Sequence, residues 1–474
     1  MTPATSTLRR IDGAHVRLAG PHQRAAPKRL PLGDIGQAHL IGACRPEMQS
    51  LAVVLAGLGW RLTGSDASLY RAQYLRSARL RIVAGHSARH LPHSADCVIY
   101  ADDVSRDNGM RRAAAQRGAP TLSHSQFVSQ LLHDRAGIVV ASGRPASAAA
   151  AILANILVEA ERDPCVLLRA TPLDWQSGGR YGAGPLLVVE APLAQTCTAR
   201  PQAAALLDAD DYAGALRLAR SVAPEGLLAV NAECPAALQA AEAAQCRTTT
   251  FGAGGQWRAE NLRGERGCYS FTLVGHDQPL GECRLRVAGR HQAQAALAAL
   301  AVAGELKIEP ATMLAAASRH AGLRNRAHLV AESGGVAMVR DDAQDPASIA
   351  AALATIREML PGRRLWCVFE PDSAAAMMSR LDAFAASLHN ADRVLVTDAT
   401  GGGDADERLA ATDALVRRLP TYAAAVAEPC PLGLVDRLAR EAVGGDVVAL
   451  IGAGDIGNIA HALAKRLRRD LAPG

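Results

Sequence analysis

Short apolar runs that read as strands alternate with longer helical runs along almost the whole chain, which restricts it to α/β domains with largely parallel sheets. The first unit opens on a strand at 38–42, a helix at 48–58 and a second strand ending Thr63-Gly64-Ser65-Asp66. Further strands follow at 81–83 and 97–100. Strand, glycine, helix, then an acid after the next strand is the outline of a Rossmann-type half. Only Gly42 of the usual glycine cluster is present, and Cys44, Arg45 and Pro46 fill the loop. After a polar break at His133-Asp134-Arg135, a second unit has strands at 137–140, 186–190 and 227–230. It continues with an antiparallel ribbon over 257–287 and a buried alanine-rich helix over 292–306. A third unit has strands at 336–339, 365–369, 393–396 and 447–451, the last running through Gly452-Ala453-Gly454-Asp455-Ile456 into a terminal helix. No internal repeat is evident, and Gly401-Gly402-Gly403-Asp404 reads as a flexible loop.

A chain of 474 residues is too long for one core. We expect a flexible extension over 1–35 and domains at 36–134, 135–326 and 327–474. Aromatic residues make up 3% of the chain, and alanine supplies much of the apolar content, so helices should pack closely through small side chains. The basic residues near the start (Arg9, Arg10, Arg17, Arg24, Lys28, Arg29) read as a solvated tail. No aromatic residues interleave with them, so a nucleic-acid arm is not expected. With no bilayer-length apolar run and no signal-peptide core, the expectation is a cytoplasmic protein without membrane insertion. Ten cysteines lack C-x-x-C pairing and read as reduced core thiols. His86, His90 and His93 have the spacing of one helical face. Pro92 interrupts that face and no cysteine or carboxylate completes a ligand set, so no metal site is expected.

The stretch Ala141-Ser142-Gly143-Arg144-Pro145-Ala146-Ser147 joins a strand to an alanine-rich helix, where a nucleotide-binding enzyme places its phosphate loop. The glycine spacing differs, no lysine is present, and a proline sits in the turn.

From about residue 36 to 470 the chain resembles the Mur ligases, nearest to the UDP-N-acetylmuramate–L-alanine ligases of that family. The resemblance rests on His39-Leu40-Ile41-Gly42, Gly64-Ser65-Asp66, Gly85-His86, Val287-Ala288-Gly289-Arg290-His291, Asp341-Asp342, Gly445-Asp446 and Gly452-Ala453-Gly454-Asp455-Ile456, in the family's order and spacing. It implies three domains: Rossmann-like for a UDP-sugar, P-loop-type for ATP, and Rossmann-like for an amino acid. It also implies acyl-phosphate chemistry, which depends on positioning and charge neutralisation by backbone N–H groups, a lysine and magnesium ligands.

The same comparison exposes departures at the chemical positions. Against the family's G-T-H-G-K-T-T-T, Ser142 stands for the first glycine, Pro145 for the second, Ala146 for the lysine and Ser147 for the magnesium-binding threonine. Proline removes an N–H from an anion cradle, and alanine brings no cation to phosphates. Ser147 equally suits an ordinary helix N-terminus. Leu193 occupies the position of the metal glutamate in Glu190-Ala191-Pro192-Leu193, and Asp211 follows Asp210 where a histidine is expected. His291 survives on the adenine side, while Gln292 and Ala295 replace two asparagines. Asn325-Arg326 keeps one of two arginines. Asp341-Asp342-Ala343-Gln344-Asp345-Pro346 lacks both histidines of the family run, and Phe369-Glu370-Pro371-Asp372 is acidic where the family is basic.

The residual ATP positions are therefore Ser142, Gly143, Ser147, His291 and Arg326, and the residual UDP-sugar positions are Gly42, Ser65, Asp66 and His86. The degenerate positions are Ala146, Leu193, Asp211, Gln292 and Asp345. The resulting expectation is a catalytically inactive homologue that needs no cofactor. It would act by binding, to peptidoglycan-precursor enzymes or an active paralogue, with weak UDP-sugar binding. Two alternatives stand beside it. One is an active ligase using ATP and Mg2+, with Arg144 the only local substitute for the lysine. The other is a UDP-sugar or nucleotide binder that uses the N-terminal domain.

Overall fold

In the chain's first unit, β1 (Gln37–Ile41) leads to α1 (Pro46–Gly57), β2 (Arg61–Asp66), β3 (Arg81–Ala84), β4 (Cys97–Tyr100), α2 (Gly109–Gln116), β5 (Thr121–Ser123) and α3 (His124–Asp134). The computed structural model describes residues 36–471 apart from 68, 70–74, 76, 77, 79, 143–145, 194–198, 402, 421–423, 429, 453 and 455. The basic segment 1–35 lies outside the described residues, as do Gly143, Arg144, Pro145, Gly402, Ala453 and Asp455. Among the described residues the strands form three sheets. In the first, all pairs are parallel in the order β3-β2-β1-β4-β5, the Rossmann arrangement expected from strand, glycine, helix and acid. His86, His90 and His93 do not share a helical face, in keeping with the interruption read at Pro92. His90 ends a single 3-10 turn (Ala88–His90), and His86 and His93 lie outside any helix, because Pro92 stops the turn.

The second unit comprises β6 (Ala136–Ser142), α4 (Ser147–Glu159), β7 (Cys165–Leu167), β8 (Gly179–Arg180), β9 (Leu186–Pro192), β10 (Ala203–Leu206), α5 (Tyr212–Ser221), β11 (Leu227–Asn231), α6 (Pro235–Ala241) and β12 (Arg247–Phe251). It is completed by β13 (Trp257–Glu265), β14 (Cys268–Gly275), β15 (Gln278–Ala288), α7 (Arg290–Glu305) and α8 (Pro310–Arg319). The sheet order is β15-β14-β13-β12-β11-β10-β6-β9-β7-β8. Strands from β12 to β7 pair in parallel, and β13, β14 and β15 form the expected antiparallel ribbon. The alanine content has a direct packing result. α4 buries Ala148–Ala151 and Ile152 against α7, which buries Ala293, Ala295, Ala296, Ala298, Ala299 and Ala301, so small side chains let the two helices approach.

The third unit comprises β16 (His328–Ser333), β17 (Val336–Asp341), α9 (Pro346–Met359), β18 (Leu365–Phe369), α10 (Ala374–Met378), α11 (Leu381–Ser387) and β19 (Arg393–Val396). It ends with α12 (Ala405–Arg418), β20 (Val426–Ala427), α13 (Pro431–Glu441), β21 (Val447–Ile451) and α14 (Ile456–Leu471). The sheet runs β16-β17-β21-β18-β19-β20, with only β16 antiparallel among the pairs described. Period-two alternation sorts β18 onto two faces. Leu365, Cys367 and Phe369 join α9, α11 and α12, whereas Trp366 and Val368 join α13 and α14. The loop read at 401–404 is partly structured: Gly401 bridges to Ser373, and Asp404 caps α12 in a capping box.

Two junctions hold these units. α1 packs on β7 and β8, with Ser50 Oγ donating to the Leu168 carbonyl and Glu47 pairing with Arg169 at 3.4 Å. Between the second and third units, Asp342 N–H donates to the Asn325 carbonyl, and α9 packs on β15. The described cysteines are free thiols, and no described helix is long and apolar enough to cross a membrane.

Candidate functional site

Parallel sheets place their ligands at the carboxyl ends of strands where the strand order reverses, and β1 and β6 are those strands here. After β1, Gly42 turns the chain at φ +79°, and its Cα lies so close to β4's end that an added Cβ would sit 3.0 Å from Ala101. The N–H groups of the turn are already used. Those of Gly42 and Ala43 donate to the Ser65 carbonyl, and that of Cys44 donates to the Asp66 carboxylate at 2.9 Å. Arg45 turns away to clasp Asp103, with Nε to carboxylate distances of 2.8 and 2.9 Å, and Pro46 starts α1. Glu47 puts a carboxylate in the helix's first turn. Ser65 Oγ lies 3.1 Å from His86 Nδ1, so Gly42, Ser65, Asp66 and His86 do converge. Beside them His39 is buried, and burial lowers its pKa to about 4, with His86 and His90 adding to the effect.

At β6 the chain ends its strand on Ser142, whose hydroxyl donates to Asp208 beyond β10. Ala146 precedes α4 without a side-chain cap and is 2% exposed. Ser147 is not an ordinary capping residue. It is the first residue of α4, and its hydroxyl donates across to Glu190 at 2.6 Å. The other Glu190 oxygen accepts the Arg169 N–H at 2.7 Å. Burial raises the Glu190 pKa, and these two hydrogen bonds oppose the rise. Sequence reasoning gave Glu190 no role, although an acid at the carboxyl end of the strand beside β6 was the available signal. Leu193 is buried at 1% exposure. Asp211 is the N-cap of α5, accepting the Gly214 N–H at 3.0 Å, which gives it a structural use.

A cavity of about 760 Å³ opens between this sheet and the third unit, lined in part by Ser142, Asp208, His291, Gln292 and Arg326. Four of the positions expected on sequence grounds thus meet at one cavity: Ser142, His291, Gln292 and Arg326. Gly289 (φ +107°) brings the chain to α7 with His291 tight against it, since an added Cβ would lie 2.4 Å from the ring. Enclosure lowers the His291 pKa, although cavity solvent reaches the residue and Glu358 acts in the opposite sense. Gln292 Nε2 contacts the His291 ring at 3.2 Å, while its Oε1 is buried without a partner. Arg326 lies 3.8 Å from Asp341, and Asn325 donates to Asp342. Asp345 caps α9, accepting the Ala347 and Ser348 N–H groups at 3.1 Å each.

Asp341 also lines the cavity and accepts the Ala327 and Ala343 N–H groups. Burial raises its pKa from about 3.8 to about 6, with Arg326 and the two N–H groups opposing. Because the folded value is the higher one, this stabilisation is full below about pH 4 and is lost as pH rises through 6. The loss integrates to about 3 kcal/mol. We expect Asp341→Asn to flatten the fall in unfolding free energy between pH 4 and 6.5, measured by urea titration at both pH values. Identical slopes for the variant and the native chain would refute this assignment.

Three family profiles match the chain: "Mur ligase family, catalytic domain" over 37–136, "Mur ligase middle domain" over 208–303, and "Mur ligase, glutamate ligase domain" over 325–454. It is 30% identical to the UDP-N-acetylmuramate–L-alanine ligase of Delftia acidovorans over 470 residues, covering 92% of this chain and 97% of that one. It is 28% identical to the Salinibacter ruber enzyme of the same name, covering 93% and 96%. The structure of the UDP-N-acetylmuramate-alanine ligase MurC from Thermotoga maritima superposes with TM-score 0.76 at 20% identity, covering 92% of this chain and 99% of that one. A murein peptide ligase from Psychrobacter arcticus superposes with TM-score 0.72 at 22% identity, covering 92% and 100%.

Proposed function

Because the chain belongs to the Mur ligase family, we propose that it keeps the ligase scaffold without ATP-driven ligation and acts by binding. In this reading residues 36–134, 135–326 and 327–474 are its three domains, and it works in the cytoplasm beside peptidoglycan-precursor enzymes or an active paralogue. The carrying observation is the Ser147–Glu190 pair beside buried, uncharged Ala146. Magnesium–ATP, which the family implies, does not fit these residues. The one hydroxyl at the start of α4 is committed to Glu190, Glu190 is committed to a backbone N–H as well, and Leu193 is apolar and buried. Losing a lysine and a backbone donor costs about 1–3 kcal/mol each in contacts to phosphate.

The test is phosphate release with UDP-N-acetylmuramate, L-alanine and magnesium–ATP, where we expect the rate of the blank. Calorimetry should give no micromolar dissociation constant for magnesium–ATP, and finding one would overturn the reading. Ser142→Gly with Pro145→Gly and Ala146→Lys should remain without ligation. Residues that act as a unit are non-additive, and Leu193, Asp211 and the missing histidine pair lie in two domains. Ligation by the triple variant at a rate ordinary for the family would reduce the defect to one loop.

A second reading, an active UDP-N-acetylmuramate–L-alanine ligase with an atypical ATP site, is favoured by the names of relatives that match over nearly their full length. It requires phosphate release in the same assay. A third reading has the N-terminal domain bind a UDP-sugar. The internally paired N–H groups of the 42–45 turn and the Glu47 carboxylate argue for weak binding. We expect saturation-transfer NMR with UDP-N-acetylmuramate to report a dissociation constant near the millimolar range, about 4 kcal/mol. Tight binding lost on Asp66→Ala would show that the turn still accepts a diphosphate.

A further inference from the structure

The cavity between the central sheet and the third unit is about 760 Å³, the size of clefts that enclose a drug-sized organic molecule. Its polar groups are unevenly committed. Toward the strand ends, Ser142 pairs with Asp208, and Asn231 donates to the Leu207 carbonyl. Toward the ribbon, Arg266 sits in the β13–β14 turn and Arg286 on β15. Pairing of Cys268 with Ala288 and of Gly289 N–H with the Gly267 carbonyl makes these segments neighbours. Neither guanidinium has a side-chain hydrogen bond or carboxylate partner among the described residues, and both arginines are exposed. Arg266 also holds φ +49°, a conformation that asparagine or glycine adopts at less cost, so its side chain is not there for the turn. Two further groups in the wall, Gln292 Oε1 and His328 Nδ1, are buried without partners. Much of the remaining lining is apolar, including Leu173, Leu323, Leu329 and Leu360.

We infer that this cavity binds an organic anion with an apolar body, its acid on Arg266 and Arg286 and its hydrogen-bonding groups on Gln292 and His328, with no metal ion. The inference rests on the reading that magnesium–ATP is not the occupant. It places the ligand's negative end at the ribbon, away from the altered phosphate loop. A carboxylate and a phosphate monoester share this chemistry.

The probes are 1-anilinonaphthalene-8-sulfonate, followed by fluorescence on the full chain, and competition by 1-naphthoate, 1-naphthyl phosphate and 1-naphthol. We expect saturable binding to one site, displacement by whichever acid matches the natural head group, and at least tenfold weaker displacement by the neutral naphthol. Arg266→Gln with Arg286→Gln should weaken the acids at least tenfold and leave naphthol and the melting temperature unchanged, since both arginines are exposed. Cys234 and Cys268 border the cavity, so 1-naphthoate should slow their maleimide labelling and spare that of exposed Cys430. Absence of saturable binding, equal affinity in the double variant, or unprotected Cys234 and Cys268 would each overturn the inference. With phosphate release still at the blank, such a result leaves the inactive-ligase reading standing. Micromolar displacement by magnesium–ATP with phosphate release would overturn both.

Discussion

Gly179→Ala is expected to separate α1 from the edge of the central sheet. An added Cβ would lie 2.1 Å from the Ser50 carbonyl oxygen and 2.7 Å from the Ser50 Cα, and backbone atoms cannot rotate aside. β8 is a two-residue edge strand whose ladder pairs are Val166–Arg180 and Leu167–Gly179, so the strain is relieved most easily by parting this contact. The penalty should reach about 3 kcal/mol, the upper end of ordinary overpacking costs. Hydrogen exchange over 46–57 and 165–180 should accelerate about a hundredfold, the same quantity expressed as an equilibrium. Unchanged protection in both segments would mean that the two units are not closely docked there.

Gly304→Ala should destabilise the central unit from inside. The new Cβ would lie 1.9 Å from Trp257 Cη2 and 2.5 Å from Cζ2, and this ring is 4% exposed. The indole cannot yield freely. Its N–H donates to Glu305 at 3.1 Å, and its edge meets the His276 ring at a centroid distance of 5.5 Å. Glu305 also pairs with Arg247 at 2.6 Å, so displacing the ring disturbs a carboxylate that is itself buried. We expect about 3 kcal/mol of lost stability, read from urea unfolding by tryptophan fluorescence. Trp257→Leu in the same chain should recover part of the loss. If the pair of substitutions is simply additive, the ring is not what the methyl group meets.

The legibility of this chain varies from strand to strand. Runs of branched apolar residues at 97–100, 365–369, 393–396 and 447–451 match the observed strands at both ends, because burial on both faces leaves no polar gap in the pattern. β10 escaped notice because Ala203-Ala204-Ala205-Leu206 reads as helix by propensity, and only its place between β6 and β11 makes it a strand. β7 and β16 escaped for other reasons: the first has three residues, and the second carries half-exposed polar positions at a sheet edge. At the candidate site, Gly42, Ser65 and Asp66 were readable since they sit at the ends of adjacent strands in a standard unit. The Ser147–Glu190 pair was not, because its members lie on opposite sides of a crossover that local sequence does not reveal. The position singled out there was Leu193, three residues past the acid that is engaged.

The turn after β1 carries its own counter-ion. The Cys44 amide, which an incoming phosphate would have to recruit, already faces a carboxylate borne by the same chain. A guest ligand stabilises its host by an amount that grows with the logarithm of its concentration above the dissociation constant, and the folded fraction then follows metabolite supply. A tethered acid has an effective concentration set by the fold alone. The first sheet is therefore expected to show the same melting temperature with and without added UDP-N-acetylmuramate up to about its millimolar dissociation constant.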